Sequence, residues 1–180
     1  CTQAQHLPNS SFESWKGSCG STYQSSNGNE MRKRPGDEPA SWNGSSINQK
    51  VKVVFNVTKE ETLIYKSTPS YNNSAAVKME NKWVGAAGIG SNAPAFITFA
   101  TPWVYAVSSC DGGAYGGISF THRPDAIKGW FKRTGGTNEK AHIIAYLWKG
   151  TFKNEIKSAK SNDVVDNTDR AVMGMVSSTG

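Results

Sequence analysis

Apolar and polar positions follow each other in short runs along this chain, with no stretch of helical period. Val51, Val53, Phe55 and Val57 recur at every second position, which predicts one strand with these four side chains inward. Further strands are predicted at Ser11–Trp15, Thr62–Tyr65, Ala75–Met79, Gly117–Thr121, Ala126–Arg133, Ala141–Trp148 and Ala171–Val176. Ala95–Phe99 and Trp103–Val107 are predicted to pair around Ala100-Thr101-Pro102. Lys153–Ser161 is polar and fits a hairpin extension or one helical turn. Gly, Asn, Ser and Pro clusters separate these runs as turns. Lys16–Pro39 and Glu80–Pro94 have no period and read as loops, the first unusually long for the inside of a domain.

About ten short strands with such turns predict an all-β fold, an antiparallel two-sheet sandwich of jelly-roll type. The composition agrees. Of 180 residues only 37% are hydrophobic, while 18 are Gly, 6 Trp, 6 Tyr and 7 Phe, a turn-rich antiparallel profile. The length fits one domain, able to bury roughly 70% of its unfolded surface without help from a metal. Ser177-Ser178-Thr179-Gly180 offers no closing strand, which leaves an edge open.

The formal charge is +6, from 20 basic and 14 acidic residues. Arg32-Lys33-Arg34 is the one dense basic cluster, and the other cations are scattered. That distribution speaks for a solubilising surface and against a nucleic-acid partner. No apolar run is long enough for a transmembrane helix. The three cysteines, Cys1, Cys19 and Cys110, have no metal-ligand spacing. Cys19 and Cys110 both lie in Ser/Gly-rich turns and are either a disulfide or two free thiols. A bridge would contribute on the order of 4 kcal/mol by closing a long loop. Residues 1–6 read as a boundary, either a signal-peptide remnant or a lipoprotein linker with Cys1 acylated. Both place the chain outside the cytoplasm, in the periplasm or anchored at the outer-membrane cell surface.

Residues 111–152 are the most informative. Gly112, Gly113, Gly116 and Gly117 mark tight turns. In the strand predicted after them, Ile127, Gly129 and Phe131 share one face and Lys128, Trp130 and Lys132 the other. A tryptophan between two lysines on the wet face suits a ligand with both CH faces and hydroxyls, which describes a sugar.

The segments LPNSSFESW (7–15), PASWN (39–43), SAAVKME (74–80), GGISFTHRPDAIKGWFKR (116–133) and AHIIAYLWKG (141–150) resemble the family called the "putative carbohydrate metabolism domain". The resemblance spans residues 7 to about 176 and implies a β jelly roll related to carbohydrate-binding modules. It also implies a signal or lipoprotein leader and a place in the envelope of glycan-degrading bacteria. Members of that family continue for several further strands. The resemblance therefore implies that residues 7–180 form a single sandwich domain lacking its C-terminal strands, either as an N-terminal portion of such a domain or with the remainder cleaved into a separate C-terminal fragment that completes the sandwich.

The expected ligand is a glycan or polysaccharide bound without catalysis. Trp130 with Trp83 or Tyr115 would form the platform, and Lys128 and Asn81 would bond hydroxyls. The competing reading of Trp130 is a small second core under a covering loop, and that of Trp83 is a loop anchor. Trp103 and Tyr105 share a face and suit core packing; Trp42 and Trp148 suit core or sheet edge. Tyr71 and Tyr115 sit in turns that would line a groove. Arg123, before Pro124, is expected to pin a turn. No cofactor is expected. Asp163, Asp166 and Asp169 form either an Asx-turn loop or an oxygen site for a structural Ca²⁺, without the spacing of a calcium hand.

Two rival functions remain. A glycoside hydrolase needs two facing carboxylates, one with a raised pKa. Glu13, Asp111 and Asp125 are isolated in sequence, and only the fold would bring two together. A structural envelope interaction module would pack its aromatics and use its surface for protein contacts. His6, His122 and His142 have no nucleophile signature beside them.

Overall fold

The computed structural model describes residues 6–25, 29–52, 56–68, 70–72, 74–86, 88–106, 110–135, 140–150, 153–156 and 170–178. All regular structure there is β, with no helix among the described residues. The first strands are β1 (Ser21–Ser25), β2 (Asn29–Lys33), β3 (Asn43–Gly44), β4 (Ile47–Lys52), β5 (Asn56–Glu61), β6 (Ile64–Ser67) and β7 (Ala76–Met79). They are followed by β8 (Lys82–Ala86), β9 (Ile89–Ala93), β10 (Ile97–Thr98), β11 (Thr101–Ala106), β12 (Cys110–Tyr115), β13 (Ala141–Trp148), β14 (Lys153–Ile156) and β15 (Arg170–Ser178).

Small antiparallel sheets dominate. β4–β5, β6–β7, β8–β9, β3–β10 and β13–β15 are two-stranded, and one sheet has five strands in the order β14-β12-β11-β1-β2. Its β1 and β11 run parallel, with Tyr23 opposite Trp103, so the sheet is not purely antiparallel as expected. Ala95–Phe99 and Trp103–Val107 do not pair with each other either. β10 pairs with β3, and β11 lies between β12 and β1.

The remaining differences share one cause: a two-residue period registers alternation, not the hydrogen-bond partner that a strand requires. Val51 and Val57 face each other across β4–β5 instead of following each other along one strand. Glu80–Pro94 holds the hairpin β8–β9, reversed beside Gly88, whose φ of 79° supplies the left-handed residue a tight loop requires. The long Lys16–Pro39 loop contains the hairpin β1–β2. Conversely, Ser11–Trp15 contributes only a bridge from Trp15 to Pro39, and Gly117–Thr121 and Ala126–Arg133 join no sheet. Gly116 (φ 81°) and Gly117 (φ 155°) do turn the chain, whereas Gly112 and Gly113 lie within β12. At the other end β15 carries Ser177 and Ser178 against His142 and Ala141, so an ordered strand does reach Ser178.

The core sits where residues 34–46 meet the start of β6. Leu63, Ile64, Ala75, Ala100, Cys19 and Pro39 are buried there. Gly44 is required by close approach: a Cβ on it would lie 2.8 Å from Cγ1 of Ile64. Ser46 Oγ accepts from Leu63 N at 3.2 Å, and Leu63 O accepts from Glu80 N at 3.0 Å, so β3 and both ends of β6–β7 meet at one residue.

Cys19 is a free, buried thiol that donates to the carbonyl of Pro35 at 3.1 Å. Its bridge to Cys110 is not formed, and of the two alternatives the free thiol holds for Cys19. Burial, with the Glu38 carboxylate nearby, pushes this thiol up to about 11.

Candidate functional site

Two exposed rings meet at the surface. Trp130 and Tyr71 stack with centroids 3.9 Å apart and planes 17° from parallel, although 76% of Trp130 and 61% of Tyr71 remain exposed. A separation of one van der Waals contact admits no ligand between the rings. Each ring therefore keeps one outward face, and Tyr71 acts as a backing plate that fixes the Trp130 indole.

Both halves of the pair are positioned by features that linear reading separates. Trp130 lies in residues 126–134, which run without turn or bend and pair with no sheet. Ile127 and Phe131 stay exposed there, Phe131 at 62%, so the face predicted to turn inward does not. Pro124 lacks an N–H and Gly129 offers no side chain to pack, and both weaken a strand that finds no neighbour. Tyr71 lies in the connection from β6 to β7. One end of that connection follows the buried Ile64; the other is held by Glu13, which accepts from Ser74 Oγ and, at 3.0 Å, from Ala75 N. Those hydrogen bonds, Ser74 first, hold the Glu13 carboxyl below its ordinary value.

Glu13 is itself placed by a knot of turns. Asn9 Nδ2 donates to Ser14 O at 2.8 Å and Ala40 O at 3.0 Å, and Phe12 sits at φ 58° with its ring against Trp42. Trp42 is half-buried and packs against Phe99 with centroids 3.7 Å apart and planes tilted by 30°, in agreement with a core or edge role.

The other expected site residues are not gathered around Trp130. Trp83 lies on β8, 53% exposed, with its ring across Gly90 of the paired strand; a Cβ there would come within 2.5 Å of Cζ2. It makes no ring contact with Trp130 among the described residues. Asn81 is exposed, and its Oδ1 accepts from Ala95 N at 2.8 Å, so it ties the foot of the β8–β9 hairpin. Lys82, beside it, reaches Glu61 at 3.6 Å and lies 5.5 Å from the Tyr65 centroid. Hydrogen bonding to Tyr65 raises its pKa. Lys128 is exposed, two residues from Trp130. The side chains of Tyr115, Trp103, Tyr105, Trp148, Asp111 and Cys110, and the whole of Asp163, Asp166 and Asp169, lie outside the described residues. His142 is exposed on β13, and His122 meets Thr121 Oγ1 through Nδ1 at 3.1 Å.

Sequence reasoning missed a buried charge cluster. Glu38 is fully buried; its Oε1 accepts from Lys16 Nζ at 2.8 Å and Gly20 N at 2.8 Å, and its Oε2 from Gly44 N at 2.7 Å. Arg34 Nη2 lies 3.1 Å from Oε2, and Arg34 Nη1 is buried with no partner. Burial alone would raise Glu38, but the Lys16 and backbone donors and the Arg34 charge outweigh it and hold the carboxyl below its ordinary value. Lys16 and Gly20 come from well upstream, and Arg34 and Gly44, though close to Glu38 in sequence, lie in a stretch without period, so no sequence pattern announces the cluster. The cluster is a structural clamp, saturated at both carboxylate oxygens. No group of three or more potential metal ligands occurs among the described residues, and no helix there is long and apolar enough to cross a membrane.

No family model, no curated protein and no solved structure matches this chain.

Proposed function

We propose that the chain is an extracytoplasmic glycan-binding module that holds carbohydrate without catalysis, on a β-sandwich of jelly-roll type. The observation that carries this reading is the stacked, exposed pair of Trp130 and Tyr71. An indole that keeps three-quarters of its surface in water, yet is fixed in orientation by a second ring, is preorganised for a flat apolar face such as the CH side of a pyranose. The resemblance of residues 7–176 to a family of envelope jelly rolls supplies the sandwich and the location. Trp130 and Tyr71 form the platform, and Lys128 is placed to bond hydroxyls beside it. Trp83 with Asn81 forms a separate surface feature.

The hydrolase alternative draws less support. Glu13 and Glu38 are both held below the ordinary carboxylate value, whereas a general acid must be held above it. The envelope-interaction alternative draws on Phe131 and Ile127, which a protein partner would cover.

Affinity electrophoresis in gels loaded with a panel of polysaccharides tests the proposal. At least one polysaccharide should retard the protein, and Trp130→Ala should abolish the retardation. Unretarded migration on every gel, with the variant indistinguishable from the parent, removes the glycan reading.

A further inference from the structure

We infer that the glycan taken at Trp130 is anionic, carrying carboxylate or sulfate groups along its chain. The inference rests on the reading of Trp130 as a sugar platform and adds the chemical class of ligand.

Residues 126–134 contain no bend. At no more than about 3.3–3.6 Å per residue, the Cα atoms of Lys128 and Lys132 lie within about 7 Å of that of Trp130. Each lysine is two residues from Trp130 along the chain, so both ammonium groups are within reach of what the indole holds. Both lysines are exposed. Exposed Arg123 and half-buried Arg133 add two more cations, and Asp125 is the single acid within residues 122–133. The stretch carries a net charge of +3, half of the +6 of the whole chain.

A neutral glycan needs an aromatic face and hydroxyl partners of either polarity. Lysine only donates, and it brings a full charge. Two lysines at one residue's remove on each side of a platform, with no carboxylate or amide between them, suit repeated negative charge along a polymer that crosses the ring. A single-stranded nucleic acid also offers stacking faces and charge. Trp130 spends one face on Tyr71, however, whereas such strands are held by successive open stacking rings along a basic groove. The acidic glycan is therefore the occupant the geometry favours.

The test compares polymers that differ in charge alone. Polygalacturonate is set against its methyl ester, dextran sulfate against dextran, and a single-stranded oligodeoxynucleotide is added. Each is measured with the parent, with Trp130→Ala and with Lys128→Gln/Lys132→Gln, after circular dichroism has verified the fold of each variant. The expected result is preference for a charged polymer over its neutral counterpart, weakened by salt. It should fall roughly fivefold to tenfold in the double lysine variant and also fall in Trp130→Ala. Which acid is preferred separates carboxylate from sulfate. Equal retention of charged and neutral polymers, with the lysine variant unchanged and Trp130→Ala inactive, overturns the charge inference while leaving the platform standing. Retention of acidic polymers unaffected by Trp130→Ala overturns it in favour of diffuse attraction to a basic surface. Tighter binding of the oligonucleotide overturns it as well, and no retention of any polymer ends both this inference and the glycan reading.

Discussion

Tyr71 and Trp130 lie face to face at 3.9 Å while both remain more than half exposed. Stacked rings contribute about 0.5–1.5 kcal/mol to each other. Here that energy orients a surface residue and leaves the core untouched. Tyr71→Ala should therefore weaken glycan retention less than Trp130→Ala, and it should leave thermal stability within a few degrees of the parent. Trp130 fluorescence should change on Tyr71 removal. An unchanged spectrum would show that the rings do not stack in solution.

The clamp at Glu38 predicts a large loss from a small change. Glu38→Gln keeps the shape but leaves Arg34 buried with its charge uncompensated. Breaking a buried pair in this way costs about 3–5 kcal/mol, on the order of 10 °C in a chain of this size. Adding Arg34→Met removes the stranded charge and should recover much of the loss. The comparison needs only thermal denaturation of the two variants and the parent. A double variant less stable than Glu38→Gln alone would refute the clamp.

Acid should loosen the Tyr71 connection. The folded Glu13 carboxyl titrates below its ordinary 4.5, so in the window just below that value the unfolded chain binds more protons than the folded one. Stability from this contact is complete above the unfolded value and is lost as pH falls through the folded value. Glu38 has the same sign, so the contribution of Glu13 is read as the difference between the parent and Glu13→Gln. Ring resonances of Tyr71 followed between pH 6 and pH 3 should move in the parent and stay flat in Glu13→Gln.

Cys19 should resist alkylation. A buried thiol pushed up to about 11 carries little thiolate near neutrality, so iodoacetamide at pH 8 should label the Cys19 peptide slowly in the native protein and rapidly in denaturant. Peptide mass spectrometry separates it from Cys1 and Cys110. Recovery of a Cys19–Cys110 disulfide-linked peptide from the native protein would contradict the free thiol.

Two glycines should fail for different reasons. Gly44→Ala drives a methyl to 2.8 Å from Ile64 and should cost about 1–3 kcal/mol by overpacking. Gly88→Ala meets no atom within 4 Å, yet its φ of 79° should still cost about 1–2 kcal/mol. Chemical denaturation of both variants checks the pair, and only Gly44→Ala should be relieved by trimming Ile64 to Val.

The β class was legible because strands leave a signature in spacing and turn residues. Ala76–Met79 and Ala141–Trp148 appear close to where alternation placed them. Partner choice was not legible. Val51 and Val57 carry the same alternation whether they lie along one strand or oppose each other across two, and the Gly/Ala-rich β8–β9 hairpin hides because small residues form strands only with a partner alongside. At the site, Trp130 was visible as an oddly placed indole between lysines. Its neighbour was not, because Tyr71 reaches it through Glu13, Ser74 and Ala75, contacts more than sixty positions apart in the chain. Glu38 was invisible because its donors at Lys16 and Gly20 belong to other turns, and Arg34 and Gly44 beside it lie in a stretch with no period to mark them.

The parallel pairing of Tyr23 with Trp103 sets a timetable for biosynthesis. Adjacent hairpins such as β4–β5 and β6–β7 can close as soon as they leave the ribosome, and so can β1–β2, but the free edge of β1 must wait for β11 to be translated. Until then the β1–β2 ribbon is a sticky template for foreign strands. Expression that stalls before Thr101 should accordingly yield aggregates seeded by the N-terminal third of the polypeptide.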